Sequence, residues 1–319
     1  MSARRRGLLY CAAALVTATA TTVAISGAPD ARAEVGTRAA SLLTLDNNIE
    51  NWLPTECAEG SEYERLIAHL KKQPAGPDVF TVQQISNAEQ LDTFTQRLTD
   101  ELPGTYEGRI AIPEPGSMGY EDKPCGVLKN QQTNAVVYRS DRLTPQQETR
   151  WRSDAPANPK PGTGPCRNLE PTESSQDRVH NLAVRFHDAT ADKDVTVASA
   201  HWPTGTWHGP DCAAENMKET AEAVDRLGGD LRIIGVDTNA KTSDADWWDK
   251  GVGLGFRDPI GELCGGADCP DEHNTTTHYR IDFLLAKGHG GFSESATLTD
   301  KVVGGKYSHH RAVTSRISY

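Results

Sequence analysis

The stretch Leu231-Arg-Ile-Ile-Gly-Val-Asp237-Thr-Asn239 decides the fold, because a short apolar run gives way abruptly to polar residues. Short runs rich in Ile and Val are typical of buried strands. A similar run ends in a histidine in Val197-Ala-Ser-Ala-His201, and another encloses a carboxylate in Arg280-Ile-Asp282-Phe-Leu-Leu. A buried carboxylate needs a cation or a hydrogen-bond donor as its partner. The sequence therefore predicts strands whose ends carry polar, chemically useful side chains.

Working outward from this stretch, short β-branched runs alternate with segments of helical spacing. The runs predict strands over Ser41–Leu45, Asp78–Ile85, Ala135–Tyr138, Val179–Phe186, Val195–Ala200, Leu231–Val236, Arg280–Ala286 and Ala312–Ile317. Helices are predicted over Ser61–Lys72, Ala88–Leu102 and Cys212–Leu227, and Pro/Gly-rich loops over Ile112–Gly126 and Asp154–Pro171. The later strands follow one another with little helix between them. This favours an α/β protein with mixed sheets packed face to face and helices outside.

The first 33 residues predict a cleaved signal peptide. Arg4-Arg5-Arg6 precedes an apolar run rich in Ala, Val and Leu, which ends at Ala31-Arg32-Ala33, a pattern that signal peptidases accept. A membrane anchor is the alternative, but threonines interrupt the run, and no second long apolar run follows. We expect residues 34–319 to form one secreted, monomeric domain without a membrane span. The export route, general or twin-arginine, stays open.

The charge balance limits the class of partner. Without residues 1–33 the chain keeps 29 basic and 43 acidic residues, a net charge of −14. Such a surface repels polyanions, which argues against a dedicated nucleic-acid-binding protein. It does not argue against an enzyme that meets its phosphate through a metal and a local basic patch.

Six cysteines in residues 34–319 predict three disulfides, because an even number is typical of exported chains. They are Cys57, Cys125, Cys166, Cys212, Cys264 and Cys269. The spacing leaves the pairing open, except that the glycines in Cys264-Gly-Gly-Ala-Asp-Cys269 allow a short loop to close. A metal cluster is the alternative, but no C-x-x-C pair supports it.

Taken singly, each polar strand end has a structural explanation, such as an Asx turn for Asp237-Thr-Asn239. The ordered set changes this view. It comprises Asn48-Ile49-Glu50, Pro77-Asp-Val-Phe-Thr-Val-Gln83-Gln84-Ile85, Ala200-His201-Trp-Pro, Gly235-Val-Asp237-Thr-Asn239-Ala, Arg280-Ile-Asp282-Phe and Ser308-His309-His310-Arg. In order and spacing the set resembles the signature of the endonuclease/exonuclease/phosphatase superfamily, over about residues 41–318. The resemblance implies a DNase I-like, four-layer α/β sandwich with two packed mixed β-sheets flanked by helices, and a site at one sheet edge.

The resemblance also implies roles for five catalytic residues. His201 would assist at the leaving-group side or hold the phosphate, and Asp237 would orient or deprotonate the attacking water. Asn239 would bind a phosphate oxygen. Asp282 would hold the imidazole of His310, which would stabilise the phosphorane-like transition state. A divalent ion and a cationic histidine suit this chemistry, because both neutralise the charge that develops on the phosphoryl group.

The implied metal site departs from the family pattern at two positions. Asn48 would stand near the metal, and Glu50 is placed where some relatives have an auxiliary acidic ligand. Gln84 replaces the family's metal-binding Glu, and His309 replaces the Asp of Ser-Asp-His. Mg²⁺ prefers anionic oxygen ligands, whereas imidazole suits softer ions. We expect Mg²⁺ or Mn²⁺, with Zn²⁺ as the softer alternative.

Three hypotheses follow from these departures. The metal is held by Asn48, Glu50, Gln84 and His309; or the chemistry persists with weaker metal dependence, His309 supplying positive charge; or hydrolysis is lost and a secreted, non-catalytic binding protein remains. The first predicts a secreted hydrolase, a phosphodiesterase or nuclease.

A phosphate ester is the expected substrate, with nucleic acid or a nucleotide as the preferred form. Trp202 would contribute to substrate binding, together with His201 and Asn239, because Trp202 and Trp207 could stack on a base. The alternative is that these tryptophans only pack a loop. Trp247 and Trp248 are expected to anchor a loop to the core. A separate zinc hydrolase site, built from histidines 201, 208, 278, 309 and 310, lacks any H-E-x-x-H spacing. A serine nucleophile lacks its G-x-S-x-G motif.

Overall fold

The computed structural model describes residues 40–50, 61–118, 131–158, 160, 162–169 and 176–319. The predicted signal peptide, the domain start at residue 34, and the cysteines at 57 and 125 lie outside these residues. Among the described helices, none combines the length and apolar character that a membrane crossing requires.

Six strands, numbered along the chain with those of the other sheets, form the first sheet. They are β1 (Ser41–Asn48), β2 (Val79–Ile85), β3 (Tyr106–Ile110), β4 (Thr133–Arg139), β12 (Gly291–Thr297) and β13 (Val313–Ser318). Their order across the sheet is β12-β13-β1-β2-β4-β3. Strands β1 and β2 are parallel, and the other pairs are antiparallel.

Five strands form the second sheet. They are β5 (Leu143–Arg152), β8 (His180–Asp188), β9 (Lys193–His201), β10 (Leu231–Asp237) and β11 (Asp282–Lys287). Their order is β11-β10-β9-β8-β5, and only β9 and β10 run parallel. A separate two-stranded ribbon consists of β6 (Asp154–Asn158) and β7 (Thr163–Asn168).

Helices cover the outer faces of both sheets. They are α1 (Ser61–Leu70), α2 (Ala88–Glu101), α3 (Ala213–Leu227), α4 (Trp247–Gly253), α5 (Pro259–Cys264) and α6 (Asp300–Val303). Side chains of α1 and α2 pack on the first sheet in one core cluster, and those of α3 and α4 pack on the second sheet in another. A third cluster fills the space between the sheets, where Val136 and Tyr138 lie with Val184 and Phe186. The expected four-layer α/β sandwich is confirmed.

The eight predicted strands and three predicted helices are all present, with ends shifted by a few residues. The predicted loop over residues 154–171 is partly wrong, because Asp154–Asn158 and Thr163–Asn168 pair as the β6–β7 ribbon. A disulfide between Cys166 and Cys212 ties this ribbon to the start of α3. The ribbon is short and lacks apolar alternation, and only residues 154–156 are buried, so its sequence resembles that of a loop. The Cys264–Cys269 disulfide is present as predicted.

The two sheets come into close contact at a glycine beneath the strand ends. A Cβ at Gly235 in β10 would collide with Thr81 Oγ1 and Asp46 Oδ1 of the first sheet. Asp46 Oδ1 accepts hydrogen bonds from Thr81 Oγ1 (2.7 Å) and from Gln83 Nε2 (2.9 Å), and Gln83 Nε2 also donates to Ser199 Oγ (3.2 Å). A polar layer therefore connects the sheets at the depth where the strands end.

Candidate active site

Three of the predicted catalytic residues are neighbours by strand register. Asp237 ends β10, lies opposite His201 at the end of β9, and lies opposite Asp282 at the start of β11. All three are at most 1% exposed. The sheet itself therefore brings together side chains that are far apart in the sequence.

His310 completes this group from the loop before β13. Its Nδ1 donates to both carboxylate oxygens of Asp282, at 2.9 and 3.0 Å. The loop is fixed because the His310 N–H donates to Ser308 Oγ (3.0 Å) and Asn47 Nδ2 donates to the His310 carbonyl (3.0 Å). Burial alone would lower the pKa of His310, but Asp282 and Asp237 outweigh it and raise the pKa to about 10. The imidazole is therefore a cation at neutral pH.

Asp237 is held as a carboxylate by its surroundings. Its Oδ2 accepts a hydrogen bond from Asn48 Nδ2 (2.9 Å) and lies 3.8 Å from His310 Nδ1, while Oδ1 accepts from the Asn239 N–H (2.9 Å). Burial would raise the pKa of Asp237, but the adjacent imidazoles of His201 and His310, together with these hydrogen bonds, outweigh it and lower the pKa. Asp237 is thus an ionised acceptor next to a cationic donor.

His201 differs from His310 in charge. Burial lowers the pKa of His201 to about 3, although its Nε2 lies only 3.4 Å from Asp237 Oδ2. The imidazole is therefore neutral, and neither ring nitrogen makes a hydrogen bond to a described residue. Its backbone is fixed, because the His201 N–H donates to Asn181 Oδ1 (2.8 Å) and its carbonyl accepts from Ser153 Oγ (3.1 Å).

The ring of Trp202, which is predicted to contribute to substrate binding, lies in the core beneath the site. The Trp202 side chain is fully buried and packs edge-on against Trp247, with 5.4 Å between ring centroids. Only its backbone takes part in the site, since the Trp202 carbonyl accepts a hydrogen bond from Asn239 Nδ2 (2.9 Å). A tryptophan directly after a buried strand can face either the site or the core, and here the α4 tryptophans hold it in the core. Trp247 is fully buried, as expected.

Glu50 lies at the mouth of the site and is already hydrogen-bonded. Its Oε2 accepts from Ser308 Oγ (3.0 Å) and the His309 N–H (2.7 Å), and lies 3.1 Å from His309 Nδ1. The Glu50 N–H donates to Asn48 Oδ1 (3.0 Å). Of the four predicted metal ligands, these contacts bring Asn48, Glu50 and His309 together.

Gln84 supplies the observation that best fits a metal ligand. It lies at the end of β2, one residue beyond the Gln83 carbonyl that accepts from the Ile49 N–H (3.1 Å). Its backbone has a φ of 57°, a value that non-glycine residues rarely adopt. The side chain is 7% exposed, and Oε1 is buried without a hydrogen-bond partner among the described residues. Because buried oxygens are normally satisfied, this atom fits the coordination of a cation.

His309 is less ready to act as a ligand. Its side chain is about half exposed, with Nδ1 near Glu50 and Nε2 at 2.7 Å from Lys306 Nζ. Both ring nitrogens are therefore in contact with charged side chains, and metal binding would require one contact to open. A softer ion would have to displace Lys306.

A second group with ligand-like geometry lies deeper. Asp237, Asp282 and His310 each offer one atom, and these atoms lie within 4.8 Å of one another. Both oxygens of Asp282 already contact His310 Nδ1, so an ion there would replace the imidazole proton. Within the described part of the chain, His208 and His278 join neither this group nor another of its kind. The structure therefore does not assemble the independent zinc site from the five histidines.

Several residues that hold the site were missed by the sequence analysis. Asn181 and Ser153 fix the His201 backbone, and Lys306 contacts His309. Arg178 is buried near His201, where its positive charge adds to the lowering of that pKa. The predicted site residues were recognised where an apolar run ends in polar residues, and none of these four residues lies at such a position.

Comparisons with known proteins agree on the fold. A scan against protein-family models finds no match, and neither does a search of curated proteins. The human Nocturnin catalytic domain with bound sulfate has a TM-score of 0.62 and 16% identity, covering 87% of this chain and 94% of that one. An endonuclease/exonuclease/phosphatase family protein from Bacteroides thetaiotaomicron has a TM-score of 0.57 and 17% identity, covering 88% and 99%. D. rerio TDP2 complexed with a single-strand DNA product has a TM-score of 0.57 and 11% identity, covering 88% and 100%. At these identities the likeness shows the fold, which is that of the endonuclease/exonuclease/phosphatase structures.

Proposed function

We propose that this chain, which has the endonuclease/exonuclease/phosphatase fold, is a secreted, metal-dependent phosphoesterase. It hydrolyses phosphodiesters by in-line attack of water, with nucleic acid or a nucleotide as substrate. One observation carries the proposal: Asn48, Asp237, His310 and Asp282 form a continuous row of buried polar contacts at one sheet edge. A row of buried charges is costly to fold and contributes little to stability, so it is better explained by chemistry.

The residues divide the reaction between them. Asp237, kept ionised, accepts a proton from the attacking water, whose oxygen bonds to phosphorus as the bond to the leaving oxygen breaks. The leaving oxyanion takes a proton from solvent. The His310 imidazolium, oriented by Asp282, donates to a phosphoryl oxygen and stabilises the charge that develops there. Asn239 and the neutral His201 donate to the remaining phosphoryl oxygens and so hold the phosphate.

A divalent cation would be held by Asn48, Glu50 and Gln84, with His309 joining after it releases Lys306. When bound, it supplies Lewis-acid stabilisation of the phosphoryl group. Mg²⁺ or Mn²⁺ fits the oxygen ligands, and His309 gives the site a nitrogen that Zn²⁺ would accept. With Glu50 as the only acidic ligand in this set, we expect weaker affinity for Mg²⁺ than an all-carboxylate site has.

The assignment to secretion has two supports. The first residues have the pattern of a signal peptide, and two disulfides are formed in the described part of the chain. Disulfides persist in oxidising compartments. Fusing residues 1–33 to a reporter protein that normally stays in the cytoplasm tests secretion, because a functional signal would carry the reporter out of the cell.

The deciding experiment measures hydrolysis of bis-p-nitrophenyl phosphate and of plasmid DNA by residues 34–319. Reactions contain EDTA, Mg²⁺, Mn²⁺ or Zn²⁺. The His310→Ala variant should lose at least about a hundredfold in kcat, since it removes a transition-state donor. His69→Ala, on the outer helix α1, is the matched control and should keep full activity. Turnover that persists unchanged in His310→Ala would contradict the proposal.

A non-catalytic binding protein is the second candidate. Its specific support is that Glu50 and His309 bond each other and that Gln84 carries no charge. This alternative predicts that no metal produces turnover above the His310→Ala background, while phosphate compounds still raise the melting temperature.

A further inference from the structure

The loops next to the catalytic strands present an exposed tyrosine and a lysine side by side. Tyr279 is 48% exposed, and Lys241 Nζ lies 4.3 Å from the centroid of its ring. Neither Lys241 Nζ nor the Tyr279 hydroxyl makes a hydrogen bond or an ion pair with a described residue. The pair therefore combines an accessible aromatic surface with a cation that forms no ion pair with any carboxylate of the described residues.

Both residues are close to the reacting centre along the chain. Lys241 follows Asn239 by two residues and Tyr279 precedes Asp282 by three, so each lies within about 10 Å of its catalytic neighbour. The two loops are also joined, because Thr238 donates through its N–H and its hydroxyl to the Ile281 carbonyl, at 2.8 Å each. The pair therefore lies on two joined loops that lead directly into the site.

The tyrosine is held in place by its own turn. Thr276 N–H and Thr276 Oγ1 both donate to the Tyr279 carbonyl (2.9 Å), and the Tyr279 N–H donates to Thr276 Oγ1 (3.1 Å). The Thr276 carbonyl accepts from Arg311, the residue after His310 (3.2 Å). A preorganised aromatic surface loses little conformational entropy when a ligand stacks on it.

The lysine is equally fixed at its backbone. The Lys241 carbonyl accepts a hydrogen bond from the buried Trp247 Nε1 (2.6 Å), and its N–H donates to Asp244 Oδ2 (2.8 Å). Its side chain is exposed. In a chain of predicted net charge −14 once residues 1–33 are removed, an ammonium without a carboxylate partner in the described part of the structure is a local attraction for an anion.

We propose that Tyr279 and Lys241 form a nucleoside subsite, which rests on the proposed function and specifies its substrate class as short single-stranded oligonucleotides. The base next to the scissile phosphate stacks on the exposed part of the Tyr279 ring. The Lys241 ammonium pairs with the next phosphate along the strand. Stacking and a single cation suit an unpaired strand, whereas a duplex keeps its bases stacked on each other.

The first test compares diesters with one leaving group. Thymidine 5′-(p-nitrophenyl phosphate), thymidine 3′-(p-nitrophenyl phosphate) and methyl p-nitrophenyl phosphate are hydrolysed by the wild type and by Tyr279→Ala, Tyr279→Phe and Leu263→Ala. Leu263 is an exposed side chain on α5 and serves as the control. Tyr279→Ala should raise KM about tenfold for one of the two thymidine diesters, which is the loss of affinity expected for one stacked base. It should leave KM for the methyl diester unchanged. Tyr279→Phe should resemble the wild type.

The second test does not depend on turnover. Binding of fluorescein-labelled pentathymidylate to the Asp237→Asn protein is followed by anisotropy with and without Tyr279→Ala or Lys241→Ala. Each change should weaken binding about tenfold, and Lys241→Ala should also reduce the salt dependence. Equal KM changes for thymidine and methyl diesters, or unchanged anisotropy, would overturn the subsite. If the subsite fails this test but the simple diesters are hydrolysed, the phosphoesterase assignment stands and the subsite does not. If no diester is hydrolysed but binding depends on Tyr279, the subsite stands and the phosphoesterase assignment does not.

Discussion

At the scale of single residues, the charge on His310 depends on the carboxylate behind it. In Asp282→Asn the pKa of His310 should fall, because the main contact that raises it to about 10 is lost. A raised histidine pKa means that the cation is present below that pKa and disappears as the pH rises through it. The alkaline limb of kcat/KM should therefore move to lower pH in the variant.

This shift is measured by a ¹⁵N titration of the His310 imidazole in metal-free protein, together with a pH–rate profile. His187→Ala is the control for the pH–rate profile, because His187 lies at the end of β8 that is remote from Asn181 and the site. An unchanged His310 titration in Asp282→Asn would show that the carboxylate does not set the charge.

A second residue-scale prediction concerns the unbonded amide of Gln84. Gln84→Glu restores an anionic oxygen where Oε1 is buried without a partner. The concentration of Mg²⁺ that gives half-maximal activity should fall by roughly tenfold, because charge count controls the affinity of hard cations. Gln147→Glu on the exposed edge strand β5 adds the same charge elsewhere and should change nothing. No difference between the two variants would remove Gln84 from the metal site.

The residues that could be predicted are those in polar strand ends. The apolar runs in the sequence point to Asp237, His201 and Asp282. The family resemblance alone implies that Asp282 pairs with His310. The sequence could not predict that Glu50 would bond His309, because this depends on a loop path across the sheet edge. It also could not place Trp202 in the core, because its partners on α4 lie more than forty residues later.

At the scale of elements, the two disulfides should contribute unequally. Cys166 and Cys212 are separated by 46 residues, whereas Cys264 and Cys269 are separated by 5. In the chain-entropy model, replacing the first pair by serines costs about 4 kcal/mol of unfolding free energy and replacing the second costs about 2 kcal/mol.

Urea denaturation of the two double-serine proteins compares these costs. Limited proteolysis between β6 and β7 provides a local readout, because only loss of the Cys166–Cys212 bridge frees the ribbon. Equal destabilisation by both replacements would contradict the entropic account.

In the two main sheets, the strands that escaped prediction share one property, which is that they lie at edges. Strand β5 (LTPQQETRWR) and strand β3 (YEGRI) border their sheets, and most of their side chains are at least partly exposed. Strand β12 (GFSESAT) is the other edge of the first sheet. Buried strands carry continuous apolar runs, whereas edge strands keep polar residues that look like loops.

At the scale of the whole molecule, the contact of the two sheets at Gly235 is a point that is sensitive to added volume. Gly235→Ala should lower the free energy of unfolding by about 1–3 kcal/mol, since the new methyl group meets Thr81 and Asp46 across the sheet interface. Gly253→Ala at the end of α4 meets nothing within 4 Å and should be neutral. Denaturation curves for both variants test this, and a tolerated Gly235→Ala would mean that the sheets can separate there.

The position of β13 has a consequence for synthesis of the chain. Strand β1 precedes the other described strands in the chain, but one of its two neighbours is β13, which is made after all of them. Until then the edge of β1 remains open, and the loop carrying His310 has no strand to anchor it. Pairing across so long a separation is slow. A nascent chain that does not yet contain β13 therefore has neither a closed first sheet nor an assembled reaction centre, so any hydrolytic capacity is withheld until β13 has been made and has paired with β1.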